Sequence, residues 1–420
     1  MQIIESDQLA RRPRAAIITL GLLSAFGPLS LDLYLPSLPR ISADFAAGAG
    51  ATQLTLSGSL AGLALGQLLV GPLSDRVGRR QPLLLGLAGF VLLSIVCAIA
   101  PNIAVLIAAR FVQGLCGAAG LVIARAIVRD AYPDEHIADV FSLLMVVNGL
   151  APVLAPLIGG GLLHLMPWRG LFGVLTAVGV VIGWLTVLAL PETLRPERRQ
   201  RGALGSIALA AREVGQDRLF RGATGVLALA SGTLFTYISL SSFVLQDRFG
   251  LSAGEFSAVF AMNSTAIIVG SRVSQLLLRR LPMHTVLGIG LALMTAASIA
   301  GSISAALHFG LVGLLPSLVL AVGSVGIVMP TATALGLLRH RRNAGMASAI
   351  LGSLQYLAGA VVGPLVSVRG ATLGAMTAGM TVSAVLAIGV WALVIRPGLP
   401  APAAADGPER DVSAEPCSSV

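Results

Sequence analysis

Two charged residues of this 420-residue chain stand inside apolar runs where they could do chemistry; a third, Arg272, lies near the end of its run and is read as snorkelling to the surface. Asp32 occupies Leu31-Asp-Leu-Tyr-Leu-Pro36, near the end of the first run, and Arg110 opens Arg110-Phe-Val-Gln-Gly114 in the fourth. An ionised acid in hydrocarbon costs roughly 2.5–3.5 kcal/mol on insertion scales, so it tends to face a cavity. A carboxyl that takes up and releases a proton there can carry that proton and sense a bound substrate. The alternative for Asp32 is an interfacial site ~6 Å from the helix end, capped and hydrated. Arg110, Gln113, Gly114 and Gly117 fall at i, i+3, i+4 and i+7, so polar and small residues share one helix face. Reaching the nearer surface from Arg110 would span ~11 Å, a stretch for one side chain. That leaves a cavity-facing cation or a structural ion pair. The two residues lie at similar depth, so Arg110 can tune the proton affinity of Asp32.

Other constellations surround this pair. Gly71-Pro-Leu-Ser-Asp-Arg-Val-Gly-Arg-Arg80 separates two apolar runs and reads as a tight, basic loop whose only acid is Asp75. Asp75 can pair with Arg129, or sit at the helix N-terminus that begins near Ala344–Ser348. Contacts made only when that side is closed would bias a two-state rocking equilibrium. The plainer alternative is that basic loops simply fix topology. The run Ala151-Pro-Val-Leu-Ala-Pro-Leu-Ile-Gly-Gly-Gly161 places Pro152 and Pro156 one turn apart, followed by Gly159 and Gly160. It predicts a kinked helix that packs closely. Tyr34, Gln113, Asn148, Tyr237, Asn263 and Gln355 are polar groups inside spans that can line a cavity; any one of them alone is more simply an interhelical hydrogen bond.

The elements that must position these residues follow from composition. The chain is 55% hydrophobic and 11% charged, with mean hydropathy +0.88, against roughly 25% charged for an ordinary soluble domain. Apolar runs of about 20 residues recur, each able to cross ~30 Å of hydrocarbon. Twelve are read, in an all-α membrane fold of two six-helix bundles around a central cavity: a cytoplasmic segment 1–14, a bundle 15–190, a cytoplasmic loop 191–218, a bundle 219–395 and a disordered cytoplasmic tail 396–420. The first run is read as an uncleaved helix rather than a signal peptide. Arginines decide the orientation: 22 of the 28 basic residues fall on the side of the termini and four on the other, so both termini are expected in the cytoplasm. Ala151 precedes Ala155-Pro156 by four residues, and Gly359 precedes Gly363-Pro364 likewise, an echo between halves. The basic residues are scattered over short loops, which argues against nucleic acid. Cys97, Cys116, Cys417 and five dispersed histidines show no metal-ligand spacing. No paired reactive residues or soluble sensing domain support an intramembrane enzyme or a receptor.

Gly71, Asp75, Arg76, Gly78, Arg79 and Arg80 match the loop between helices two and three of the major facilitator superfamily, which this chain resembles over nearly its whole length. Leu31-Asp-Leu-Tyr-Leu-Pro36, Arg110-Phe-Val-Gln-Gly114, Ala124-Arg-Ala-Ile-Val-Arg-Asp130, Leu150 to Gly160 and Gly345 to Gln355 narrow the resemblance to the Bcr/CflA drug-efflux family. That resemblance implies a proton-driven antiporter of small amphipathic drugs in the bacterial cytoplasmic membrane, acting as a monomer, with the proton as coupling ion and no other cofactor. It implies a proton-coupling role for Asp32 and Arg110 and places the antiport motif on span five. Ala151, Ala155 and Ser242 depart from the family pattern; Ser242, where proline is common, is expected to alter the cavity wall. Export of a metabolite or self-made antibiotic, or proton-coupled uptake, are the competing readings.

Overall fold

The structure, a computed structural model, describes residues 13–132, 134–199, 212–340, 344–368 and 370–396. Residues 1–12 of the expected N-terminal segment, 200–211 of the connector and 397–420 of the tail lie outside them. Within the described residues the chain is helical and has no strand. Twelve helices are long and apolar enough to cross a membrane: Ala15–Asp44, Ala49–Val77, Arg80–Ala98, Ile103–Ala131, Asp139–Leu162, Trp168–Ala189, Arg218–Arg248, Ala253–Leu277, Met283–Ala306, Gly310–Leu337, Gly345–Ser367 and Leu373–Ile395. These are spans one to twelve below. Helix suits such a sequence because each backbone N–H must find its acceptor within the span once water is gone.

Spans one to six pack on one another, as do spans seven to twelve. The bundles meet along two seams, span two against span eleven and span five against span eight. With an even number of spans the described chain ends share one face, here the terminal face; the other is the far face. Short polar residues stop the helices. Asn102 accepts from Val105 N at 3.0 Å, Asp217 from Leu219 N at 2.9 Å, and Ser252 with Glu255 forms a capping box ahead of span eight.

Three boundaries differ from the hydropathy reading. Span two stays helical to Val77, so Gly71, Asp75 and Arg76 belong to its last turns and the connector shrinks to Gly78 and Arg79. Span four runs to Ala131, which puts Arg125 and Arg129 on a helix. Hydropathy marks where the hydrocarbon ends, whereas a helix ends where a breaker or cap stands, and Gly78, at φ +108°, is the breaker. Span one is interrupted instead. Its first helix ends at Asp32, a 3-10 turn follows over Leu35–Ser37, and a short helix covers Leu38–Asp44. Pro36 and Pro39 have no N–H to donate, so the regular ladder cannot pass through them.

Candidate functional site

The break in span one determines the surroundings of Asp32. The chain continues for twelve residues beyond it before the far face is reached, so the hydrated interfacial position is not what the fold builds. Asp32 is 6% exposed. Its carboxyl makes no hydrogen bond or ion pair with any described residue, and it lies within Coulombic reach of Tyr237 and Tyr356, both from the other bundle. Tyr237 is buried against Phe260, ring centroids 5.6 Å apart, and its hydroxyl accepts from Asn263 Nδ2 at 2.8 Å. The Asn263 side-chain oxygen is buried without a partner. An unpaired acid at a bundle boundary can change protonation without first breaking a salt bridge.

Arg110 is 1% exposed and is held differently from either sequence expectation. Its guanidinium lies over the Tyr34 ring at 4.3 Å and near the Phe172 ring at 5.7 Å. Nη1 donates to Gln113 Oε1 at 2.6 Å and Nη2 to the Ser30 carbonyl at 3.2 Å. Gln113 Nε2 in turn donates to Ser94 Oγ at 2.7 Å, and Tyr34 shares a hydrogen bond with Thr55 at 3.2 Å. Among the described residues no acid pairs with Arg110; two aromatic faces and two oxygen dipoles hold the charge. Arg110 and Asp32 are therefore not an ion pair. They are joined through the backbone, because Arg110 binds Ser30 two residues before Asp32.

The bundles join at the far face around the same break. Ser242 Oγ donates to the Leu35 carbonyl at 2.8 Å, and Gln246 Nε2 to the Pro36 carbonyl at 3.2 Å. Ser242 thus lies at the junction between bundles rather than on a cavity wall. Gln53 Nε2 donates to the Ser239 carbonyl at 3.3 Å in the same region. Span five supplies the other side of the seal. A Cβ on Gly159 would lie 1.9 Å from the Leu33 carbonyl oxygen, and one on Gly160 would lie 2.3 Å from Ser257 Oγ. Pro156 has no N–H for the carbonyl of Pro152, and Ser264 of span eight donates to that carbonyl at 3.2 Å. The proline–glycine run is thus used residue by residue to dock span five on its neighbours.

At the terminal face Asp75 pairs with Arg79, at 2.5 Å, rather than with Arg129. Arg79 also binds Asp130 at 2.7 Å and Ser74 Oγ at 2.8 Å. Burial alone would lower the pKa of this guanidinium; Asp130 first, then Asp75, outweigh it and hold the pKa above its ordinary value. Glu192, just after span six, accepts from Arg79 N at 2.8 Å, Arg80 N at 3.1 Å and Leu194 N at 3.0 Å, capping span three. A Cβ on Gly78 would lie 2.5 Å from that carboxylate. Arg80 reaches the Val187 carbonyl at 3.2 Å. Gly71 lies near Val122, where a Cβ would be 3.8 Å away, and Arg76 is engaged with its surroundings. Arg129 stands beside the first turn of span eleven, its Nη1 4.0 Å from where a Gly345 Cβ would be.

Of the polar cavity candidates, Tyr34 and Gln113 enclose Arg110. Asn148 bonds to Ser24 Oγ at 2.9 Å and the Leu144 carbonyl at 2.8 Å within its own bundle. Tyr237 and Asn263 pair with each other, and Gln355 is half-buried. Asp130, Glu192, Ser264 and Gln53 did not stand out in the sequence. Glu192 had a usable signal, an acid two residues after an apolar run closes at Leu190; the others look like ordinary helix residues.

The sequence profile of the Major Facilitator Superfamily matches residues 20–364. The chain is 39% identical over 375 residues to an uncharacterized MFS-type transporter, YdgK, of Bacillus subtilis (89% of this chain, 93% of that protein). It is 30% identical over 351 residues to a bicyclomycin resistance protein homolog of Haemophilus influenzae (84% and 88%). Among solved structures it resembles a bacterial homolog of the human lysosomal transporter Spinster, in an inward-facing and occupied conformation, with TM-score 0.72 at 17% identity, covering 90% of this chain and 96% of that one.

Proposed function

The chain belongs to the major facilitator superfamily and is a multi-pass membrane transporter of small molecules, not an enzyme; from that premise we propose that it exports small amphipathic drugs or antibiotics in exchange for protons. The terminal face is then cytoplasmic, as the arginine distribution favours, and the membrane is the bacterial cytoplasmic membrane. The protein works as a monomer and needs no cofactor besides the proton.

The observation that carries the reading is the buried, unpaired carboxyl of Asp32, set on a helix break. Charged, it favours a conformation that gives it water or a cationic partner; neutral, it tolerates enclosure. Arg110, tied to Ser30, holds the break in register and adds positive potential that favours release of the proton. Each bundle is internally bonded, so the transition is a rocking about the two seams. The clamp of Asp75, Arg79 and Asp130 keeps spans two and four moving as one body. The relation to a bicyclomycin resistance homolog supports an antibiotic-like cargo.

The test is transport into inverted membrane vesicles with and without an imposed proton gradient. Gradient-dependent accumulation of several unrelated compounds is expected. Uptake confined to right-side-out vesicles would replace antiport with symport.

A further inference from the structure

A cavity at the start of span seven takes no part in the proposed cycle. Arg221, Thr224, Gly225 and Ala228 of span seven line it together with Ile350 and Leu354 of span eleven, and its volume is about 390 Å³. The four span-seven residues fall at i, i+3, i+4 and i+7, so they form one helix face. Both spans begin at the terminal face, which places the cavity at that end of the C-terminal bundle.

Thr224 is the polar group inside it. The residue is 7% exposed, and its hydroxyl is buried without a hydrogen-bond partner among the described residues. A threonine within a span ordinarily returns its hydroxyl to the carbonyl four residues back. Thr236, Thr265, Thr295 and Thr331 of the same bundle do so at 2.7–2.8 Å. Thr224 makes no such bond to the Phe220 carbonyl, which leaves an O–H donor for an acceptor lodged in the cavity. Arg221 stands one turn nearer the terminal face and is exposed. Among the described residues its guanidinium has no hydrogen bond or ion pair. The acid one turn before it, Asp217, is taken by Arg339 at 3.5 Å and His340 at 3.2 Å.

The cavity opens toward lipid. Leu354 begins a stripe of exposed apolar residues, with Leu357, Val361, Leu365 and Val368 at i+3, i+7, i+11 and i+14. The stripe runs to the far face, where the bundles are sealed around the break in span one, so it faces hydrocarbon rather than a central vestibule. Span eleven meets span two on another face, where Ser353 Oγ donates to the Ala64 carbonyl at 2.9 Å. Depth sets the order of groups. Span seven has 31 residues, about 46 Å of helix against ~30 Å of hydrocarbon, which leaves about 8 Å at each end in the headgroup layer. Arg221 lies ~4.5 Å into the helix, Thr224 ~9 Å and Ala228 ~15 Å. From the mouth inward the cavity thus offers a cation among the headgroups, a hydroxyl donor at the hydrocarbon boundary and an apolar wall beyond. A phospholipid carries phosphate, ester carbonyls and acyl chains in the same order.

We propose that this cavity binds an anionic phospholipid of the terminal-face leaflet. Arg221 takes the phosphate, Thr224 donates to an ester carbonyl, and an acyl chain runs along Leu354 and the stripe beyond it. The site is independent of what the protein transports and of its coupling ion.

The probe is dioleoylphosphatidylglycerol, titrated onto the delipidated full-length protein in detergent, with bound lipid counted by native mass spectrometry. Dioleoylphosphatidylcholine, with the same esters and chains but no net charge, is the comparison. The parent should bind phosphatidylglycerol more tightly. Arg221→Gln should weaken that lipid about tenfold, the size of one charge-assisted hydrogen bond, and abolish the preference. Arg280→Gln, which alters an exposed arginine at the same face but outside the cavity, should change nothing. Thr224→Val keeps the shape and removes the donor, and should weaken both lipids about fivefold. Arg221 is exposed, so Arg221→Gln decides the matter even if Thr224→Val fails to fold. Equal affinity of the parent for the two lipids, or equal effects of Arg221→Gln and Arg280→Gln, overturns the proposal. Displacement of the bound lipid by inorganic phosphate or by the quinolone norfloxacin also overturns it, giving the cavity to a free anion or to the cargo.

Discussion

Replacing Gly159 by alanine puts a methyl group 1.9 Å from the carbonyl oxygen of Leu33, the residue after Asp32. A close C···O contact is about 3.3 Å, so roughly 1.4 Å of separation has to be found between spans five and one. The obstacle is backbone and cannot rotate away. Overpacking of this kind costs about 1–3 kcal/mol, against which alanine recovers at most ~0.5–1 kcal/mol of helix propensity. The net expectation is a destabilisation of about 1–2 kcal/mol and a loosened far-face seal. Gly161 provides the control within the same run: no atom lies within 4 Å of its Cβ position, so Gly161→Ala should be neutral or stabilising by up to ~1 kcal/mol. The assay is thermal unfolding in detergent, followed by proton leak and gradient-driven transport in proteoliposomes. Gly159→Ala should melt below the parent and leak, and Gly161→Ala should do neither. If the two variants behaved alike, the glycines would matter for helix flexibility, and the docking of span five on the break would be the wrong explanation.

Arg79→Ala leaves Asp75 and Asp130 facing each other without a cation; with those side chains 35% and 21% exposed, the 3–5 kcal/mol of a fully buried pair falls to about 2–4 kcal/mol, seen as a lower melting temperature that Arg79→Lys partly restores. Glu192→Gln turns an amide N–H toward the donor at Arg80 N, so hydrogen exchange in the first turn of span three should rise by about tenfold. Ser264→Ala orphans the Pro152 carbonyl at the seam of spans five and eight and should lower stability by about 1 kcal/mol in the same melting assay.

Much of this architecture could be read without coordinates because a bilayer leaves few choices. Length and hydropathy placed twelve spans, and arginine counts gave an orientation to test. Isolated charges pointed to Asp32 and Arg110. Partners were not legible, because they depend on which helices become neighbours. Arg79 was a loop arginine until the turn at Gly78 folded it back on Asp75 and span four brought Asp130 to it. Arg110 was expected to face a cavity or an acid, and instead lies between Tyr34 and Phe172, residues 138 apart in sequence that meet only in the bundle. Arg125 follows the apolar run of span four directly yet still lies on its helix, which runs on to Ala131 after hydropathy has fallen. Ser264 illustrates the limit: a serine in an apolar helix carries no mark of the proline-freed carbonyl it will serve.

In the proposed cycle, protonation and deprotonation of Asp32 drive export. The direct measurement is substrate movement in proteoliposomes containing the parent protein or Asp32→Asn, in two modes: accumulation driven by a proton gradient, and gradient-free exchange of labelled for unlabelled substrate. The neutral amide mimics the protonated carboxyl. Asp32→Asn should therefore lose gradient-driven accumulation while still exchanging substrate across the membrane. Full gradient-driven accumulation by Asp32→Asn would contradict the account and move the coupling proton to another residue.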